Sequence, residues 1–289
     1  MAQHTDEAPD DSTLFNSDSR SEPVLVDIAD GLAVITLHRP DRKNAWTVPM
    51  QAAYYAALEA VTADPEVRAI VLTGAGGAFC PGADTAALTT YTETGTTNPL
   101  ADDIEQPEWF PSLVPKPMIA AINGPCAGIG LVQALMCDIR VAAPDARFST
   151  AFARRGLPAM HGGEWLLERL AGASVAHELL LTGRTFDGTE AARLGVVTEC
   201  STSPLDRARE IAADMAAHCS PTSMAQIKGQ LWTTHERTFA ESVQSVDAVI
   251  DTFLSSPDVA EGVASFVERR APHFTGLAAR VPSPAGENS

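Results

Sequence analysis

The chain has 289 residues, of which 45% are hydrophobic, and this is enough to bury the core of one large domain. Its formal net charge of −17 argues against a nucleic-acid-binding protein, which needs a basic face. No run approaches 18 consecutive apolar residues, so no membrane span is expected. Five widely spaced cysteines without a CxxC pair indicate neither disulfides nor a metal site, and favour a cytoplasmic location.

The N-terminal residues 1–21 are polar and acidic and lack the basic and apolar regions of a signal peptide, so we expect a disordered acidic leader. Two β-rich runs in "PVLVDIADGLAVITLH" meet at Asp30-Gly31, which predicts a hairpin. The stretch "AWTVPMQAAYYAALEAVTADP" has helical periodicity, and "VRAIVLTG" reads as a strand of a buried parallel sheet. Residues 85–115 are polar and irregular and are predicted to form a mobile flap.

The middle of the chain continues the alternation of strands and helices. "KPMIAAING" predicts a second buried strand, "PCAGIGLVQALMCD" a small-residue turn leading into an apolar helix, and "IRVAAPDARFST" a pair of strands. From Gly163 onward helices dominate, with the strand-like "VVTEC" as an exception. The pattern predicts an α/β core over residues 22–200, a helical region over 201–276 and a flexible tail over 277–289.

Two Gly-rich segments could carry chemistry. The first does not fit a dinucleotide-binding fingerprint, because Gly74-x-Gly76 is followed by Phe79 where the third glycine should fall. A different interpretation covers both segments: the turns at Gly82-Ala83 and at Gly128-Ile129 each leave a backbone N–H free, and two such donors form an oxyanion hole. The alternative is that both are only close-packed turns between strands and helices.

Four ordered motifs resemble the crotonase (enoyl-CoA hydratase/isomerase) superfamily: "LHRPDRKNAWT", "VLTGAGGAFCPGADT", "KPMIAAINGPCAGIGLVQALMCDIRVAAPDARFSTAFARRGLP" and "SPDVAEGVASFVERRAPHFTG". The similarity runs from about Pro23 to Gly276. It implies a spiral of ββα units and a helical C-terminal region used for trimerisation, with trimers often pairing into hexamers. It also implies an acyl-CoA thioester ligand, with coenzyme A as part of the substrate and no tightly bound cofactor.

By motif position, the resemblance places the oxyanion-hole N–H groups on Ala83 and Ile129. It places the Arg42-Lys43 pair near the CoA phosphates or the adenine end. The residues expected along CoA are Arg42, Lys43, Cys80, Pro81, Ala83 and Gly128.

Three positions depart from the family pattern. Val132 and Phe152 occupy the positions where similar hydratases carry two glutamates, and Met160 occupies the position of a single acid in other subgroups. None of these side chains can transfer a proton. The neighbouring candidates are His161, a good general base near neutral pH, and Glu164, which could orient it. The alternatives are a structural or surface role for His161 and a helix-dipole role for Glu164.

Further residues have plainer interpretations. Asp84 is common in the family and is expected to be structural. Trp109 and Phe110 of the flap are expected to cover an apolar acyl chain. Cys80 is interpreted as a small, half-buried thiol rather than a nucleophile, because nothing nearby in sequence lowers its pKa.

Three functions are compatible with these features. The first is an enzyme that stabilises a thioester enolate during hydration, double-bond isomerisation or a cleavage, with His161, Glu164 or an acid of the flap segment "DDIEQPEWF" moving the proton. The second is a catalytically impaired acyl-CoA-binding protein. The third is a carbon–carbon bond hydrolase of the same fold, using His38, His161 and Glu164, and the intact CoA-side motifs count against it.

Overall fold

The computed structural model describes residues 22–85, 89, 104–277 and 279. The expected leader (1–21), part of the flap and nearly all of the expected tail lie outside the described residues. The described strands are β1 (Val24–Ala29), β2 (Leu32–Leu37), β3 (Ala69–Gly74), β4 (Met118–Ile122), β5 (Cys126–Ala127), β6 (Ile139–Ala142), β7 (Arg147–Ser149), β8 (Phe186–Asp187) and β9 (Glu199–Cys200).

The described helices follow the predicted segments. They are α1 (Val48–Ala63), α2 (Ile129–Leu135), α3 (Gly163–Ala171), α4 (Ala173–Thr182), α5 (Gly188–Arg193), α6 (Pro204–His218), α7 (Pro221–Thr233), α8 (Phe239–Leu254) and α9 (Pro257–Glu268). Short 3₁₀ helices cover Pro40–Arg42, Phe110–Leu113, Ala153–Arg155 and Thr234–Glu236. The mixed α/β core and the helical C-terminal region are therefore confirmed.

The larger sheet has six strands in the order β1-β2-β3-β4-β6-β9. The predicted hairpin joins β1 and β2, and both turn residues, Asp30 (φ 52°) and Gly31 (φ 79°), are left-handed, as a two-residue hairpin turn requires. The remaining pairs in this sheet are parallel. Parallel strands need crossover connections, and these carry the Gly-rich turns and helices of the candidate site.

Both faces of the larger sheet are covered, which explains why β3 is apolar throughout. Ile70 and Leu72 face the main core, whereas Ala69 and Val71 face the opposite layer. Helix α6 forms that opposite layer, with Ala208 and Ala212 buried against the sheet. An uninterrupted run of apolar residues is typical of a strand in a parallel sheet that is buried on both faces.

A second, three-stranded sheet contains β5, β7 and β8. The strand pair expected in "IRVAAPDARFST" therefore divides between two sheets, since β6 joins the larger one and β7 the smaller. Of the "VVTEC" segment, only Glu199 and Cys200 pair as a strand, whereas Val196 and Val197 are buried in the main core. The smaller sheet matters for function because β5 leads directly into the second Gly-rich turn.

The C-terminal helices are attached to the sheet through a buried lysine. The ammonium group of Lys228 in α7 lies 2.8 Å from the carboxylate of Asp138 and donates to the carbonyl of Lys116. The same carboxylate of Asp138 accepts a bond from the backbone N–H of Met118 at the start of β4. Across the ranges given above, no helix combines the length and the apolar character needed to cross a membrane.

Candidate active site

The two Gly-rich turns lie side by side. Cys80 and Cys126 pair as a parallel bridge, in which Cys80 N–H donates to Pro125 O (3.0 Å) and Ala127 N–H donates to Cys80 O (2.9 Å). Beyond this bridge the segments approach again at Gly82 and Gly128, and Ala83 and Ile129 each follow one of these two glycines. This pairing is made entirely by backbone atoms.

Glycine is required where the two segments approach each other. A Cβ atom on Gly130 would lie 2.2 Å from Cys80 O, a distance that no side chain tolerates. A Cβ on Gly128 would lie 3.8 Å from the Cα of Gly82, and both of these glycines have positive φ (51° and 112°). The glycines therefore bring the two turns into direct contact.

Each turn presents a free backbone donor. Trp46 N–H donates to Gly82 O (2.8 Å) and Asp84 N–H donates to Trp46 O (2.9 Å), so the intervening N–H of Ala83 points to the other side. Ile129 is the first residue of α2, where an N–H has no intrahelical acceptor. Within the described residues, neither N–H has a hydrogen-bond acceptor. Two adjacent donors of this kind can stabilise an oxygen that becomes negatively charged.

The first turn is braced by an ion pair. Arg39 donates to the Asp84 carboxylate at 3.0 Å and also to the carbonyl of Ala45. Asp84 is buried, and this contact is consistent with the structural role expected for it. The pair links the loop after β2 to the turn that carries Ala83, and so fixes the direction of its N–H.

The three apolar positions do not provide acid or base groups, and two of them meet. A Cβ on Gly163 would lie 3.1 Å from Val132 Cγ2 and 3.6 Å from Phe152 Cε2, so the start of α3 closes over both side chains. Val132 and Phe152 are buried, whereas Met160 is 38% exposed. The three positions therefore carry apolar side chains, two of which are buried.

His161 is placed in an unusual backbone conformation. Its φ is +56°, and Gly162 follows with φ +73°. The His161 side chain is only 12% exposed, and its Nδ1 lies 2.8 Å from the Glu108 carboxylate. Glu164 is exposed in the first turn of α3, as a dipole-complementing acid would be. The carboxylate that contacts His161 is thus Glu108 of the flap, not Glu164.

His161 also lines a cavity of about 330 Å³. Three of the four tryptophans in the chain line it as well, and Trp165 and Trp232 stack nearly parallel with ring centroids 6.0 Å apart. The guanidinium of Arg169 lies 4.7 Å from the Trp165 ring. The lining includes Trp109, Met136, His161, Trp165, Trp232 and Glu236. A larger cavity of about 440 Å³ lies between the β1–β2 hairpin and α6 and contains none of the candidate residues.

Two expectations for apolar residues need correction. Trp109 lines the cavity, but Phe110 is buried against Tyr55, with ring centroids 5.0 Å apart, and belongs to the main core. Cys80 is not half-buried but fully buried, and burial raises the pKa of its thiol to about 11. Its side chain therefore cannot reach a ligand, and only its backbone lies along the turn.

The remaining CoA-side candidates are accessible. Arg42 and Lys43 are exposed at the end of the first 3₁₀ helix, and Pro81 and Ala83 are exposed beside the first turn. His38, which the hydrolase hypothesis needs, has its Nδ1 3.1 Å from Glu22 O and does not line the cavity of His161. The structure thus brings the two turns together and separates His38 from the other two residues of that hypothesis.

These features define an α/β protein with two backbone donors at adjoining turns, and comparison with known proteins identifies its family. The family model for enoyl-CoA hydratase/isomerase matches residues 27–277, and the chain belongs to this family. The fold is that of the crotonase superfamily, as the resemblance implied.

Several relatives cover most of the chain. A probable enoyl-CoA hydratase of Mycobacterium tuberculosis, EchA12, is 36% identical over 84% of this chain and 89% of its own length. The enoyl-CoA hydratase ACTT3 of Alternaria alternata is 35% identical over 85% of this chain and 83% of its own length. Among solved structures, a probable enoyl-CoA hydratase/isomerase from Mycobacterium abscessus is 37% identical, with a TM-score of 0.79, over 88% of this chain and 99% of its own.

The contact at Gly130 gives a direct prediction. Gly130→Ala should destabilise the protein by about 2 kcal/mol, because the added methyl group must push the two turns apart. It should also abolish the increase in Tm that an acyl-CoA produces. Gly229→Ala is the matched control, because Gly229 lies in α7 with open space around the position of an added Cβ. Alanine there should increase the free energy of unfolding by as much as about 1 kcal/mol. Urea unfolding and thermal shifts measure both, and wild-type behaviour of Gly130→Ala would contradict the geometry.

Proposed function

We propose that this chain is an acyl-CoA enzyme that holds the thioester carbonyl oxygen between the N–H groups of Ala83 and Ile129. The observation that supports the proposal is the parallel bridge between the two turns, together with two N–H groups that have no acceptor within the described residues. When a base removes a proton from a carbon conjugated with the thioester, the electron pair moves onto the carbonyl oxygen. Two preorganised donors lower the free energy of this enolate more than that of the bound substrate.

The proton chemistry differs from that of a hydratase with two glutamates. Val132 and Phe152 are buried and offer no group that could activate a water molecule for addition to the substrate. His161 is the proton-transfer residue in this proposal, because its side chain lines the adjoining cavity. Proton removal at one carbon and return at another moves the double bond without consuming water. Isomerisation is therefore favoured over hydration.

The rest of the thioester has a plausible path over the described surface. The exposed Arg42 and Lys43 supply local positive charge for phosphates on a strongly acidic protein, and Pro81 and Gly128 border the route to the carbonyl. At the other end, α2 leads from Ile129 to Met136 at the Trp-lined cavity, a distance of about 10 Å at the rise of an α-helix. We assign this cavity to the acyl group, with the reacting carbons between the donors and His161 and the rest of the chain extending toward Met136. A cytoplasmic location is part of the same proposal.

A second candidate function is an acyl-CoA-binding protein without turnover. The close contact of Val132, Phe152 and the start of α3 favours it, because this contact fills the place where the acids of similar hydratases would act. Such a protein would keep the two backbone donors and bind thioesters. A substitution of His161 would then change only the stability of the protein.

Turnover of enoyl-CoA thioesters distinguishes the two candidates. The assay uses 2-enoyl-CoA and 3-enoyl-CoA of short and medium chain length. The loss or gain of the absorbance of the conjugated thioester measures the reaction. His161→Ala should lower kcat by a factor of about 10² to 10⁴, the usual contribution of a general base. Glu164→Ala is the control and should retain wild-type kcat, because Glu164 is exposed and does not contact His161.

Two results would contradict the enzyme proposal in different ways. Unchanged turnover in folded His161→Ala would exclude this histidine as the proton-transfer residue. No turnover of any substrate, together with an increase in Tm on adding acyl-CoA, would favour the binding protein.

We also propose that the chain assembles into trimers or hexamers through its C-terminal helices. Helix α8 exposes Phe239, Val243, Val246, Ile250 and Leu254, which recur every three or four residues and so form one apolar face. In α9, Phe266 is 85% exposed. Apolar surface of this extent is typical of an interface between protein chains.

Sedimentation analysis tests this assembly. The mass obtained for the wild type should be three or six times the mass of one chain. Ile250→Asp should dissociate it, because a carboxylate would be desolvated within the apolar face. Leu181→Asp, at an exposed position of α4 outside this face, should leave the mass unchanged. A wild-type monomer would overturn the proposal.

A further inference from the structure

We propose that Glu108 is a positioning residue that orients His161 as the base, an inference that rests on the proposed function. Glu108 lies in the flap, far from His161 in sequence and next to Trp109, which lines the same cavity. The sequence offers Glu108 only as one of several acids in the flap segment. The contact between the two side chains, and the way in which each is held, carry the inference.

The contact fixes which ring nitrogen carries the proton. His161 Nδ1 lies 2.8 Å from Glu108 Oε2. At this distance an unprotonated Nδ1 and the carboxylate oxygen would repel each other as two acceptors, whereas a proton on Nδ1 is attracted to the carboxylate, so we infer that the neutral ring carries its proton on Nδ1. Nε2 is then the unprotonated nitrogen, and no residue in the described ranges is bonded to it. A carboxylate that orients histidine through one nitrogen while the other reacts is a common arrangement in active sites.

Glu108 is held through its backbone rather than by its own side chain. The hydroxyl of Tyr55 in α1 donates to Glu108 O at 3.1 Å. Tyr55 is buried, and burial raises the pKa of this hydroxyl well above its usual value, so it remains a donor. Phe110 packs on the same ring, and its N–H donates to Pro107 O (2.9 Å). These contacts tie this part of the flap to the core.

His161 is held in a left-handed conformation that a non-glycine residue adopts only when its surroundings require it. This conformation costs on the order of 1 kcal/mol, and such costs cluster at functional sites. The Gly163 N–H donates to Met160 O (3.0 Å), which closes the turn around His161. The turn directs the imidazole to the cavity and toward Glu108.

Other charged groups near this site do not take the place of Glu108. Glu164 is exposed on α3, Glu236 lines the cavity from the last 3₁₀ helix, and Arg169 lies over Trp165. In the described part of the chain, Glu108 is the carboxylate in contact with His161. The Glu108 side chain is 58% exposed, so the pair adds little to stability and variants at this position should fold.

The test uses the full chain with ¹⁵N-labelled histidine and two variants, Glu108→Ala and Glu108→Gln. ¹⁵N chemical shifts of the neutral ring report which nitrogen carries the proton, and His161→Ala assigns the signal. The wild type should show the Nδ1–H tautomer. Glu108→Ala should shift His161 toward Nε2–H, whereas Glu108→Gln should retain Nδ1–H because its amide oxygen still accepts.

Turnover of the enoyl-CoA substrates provides the second readout. Glu108→Ala should lower kcat by a factor of about 10 to 100 with little change in KM, and Glu108→Gln should recover part of this loss. Glu105→Ala is the matched control, since Glu105 is an exposed acid of the same flap segment, and it should match the wild type in both readouts.

The outcomes separate this inference from the proposed function. If His161→Ala abolishes turnover but Glu108→Ala changes neither the tautomer nor kcat, the role of Glu108 is wrong and the proposed function stands. If folded His161→Ala turns over substrate like the wild type, both the proton route and the role of Glu108 are overturned.

Discussion

The close approach of two backbone segments, at a point where only glycine fits, is the constraint on which the rest of the site depends. Residues 80–83 run alongside 126–129, and the Cα of Gly130 faces the carbonyl of Cys80 too closely for any side chain. In the proposed function, this contact brings the N–H groups of Ala83 and Ile129 to the same carbonyl oxygen. Because backbone atoms supply both donors, the side chains around them are free to vary without loss of the donor pair.

That freedom explains how the chain can keep the family fold and still lack the expected acids. Val132 and Phe152 pack against the start of α3 and form a buried apolar cluster. A developing negative charge on oxygen is stabilised more strongly in such surroundings than in water. In the proposed function the proton comes from another direction: His161, positioned by Glu108 of the flap, supplies it from the side of the tryptophan-lined cavity.

The sequence predicted the features that depend on local pattern. The hairpin at Asp30-Gly31, the buried strands and the helices follow from residue periodicity and turn chemistry, which act over a few residues. It did not predict that β6 and β7 join different sheets, because strand partners are chosen by long-range packing. Phe110 was expected over the acyl chain but packs on Tyr55, and Cys80 is fully buried, for the same reason. The contact between His161 and Glu108 joins two loops, where neither periodicity nor spacing carries information.

The most direct test of the central claim is the stretching frequency of the substrate carbonyl. Isotope-edited infrared difference spectra of a ¹³C=O-labelled enoyl-CoA report the polarisation of that bond in the site. If Ala83 and Ile129 both donate to the oxygen, the carbonyl band should shift to lower frequency on binding to the wild-type protein than in water. A bound thioester whose carbonyl absorbs at the same frequency as in water would contradict the account.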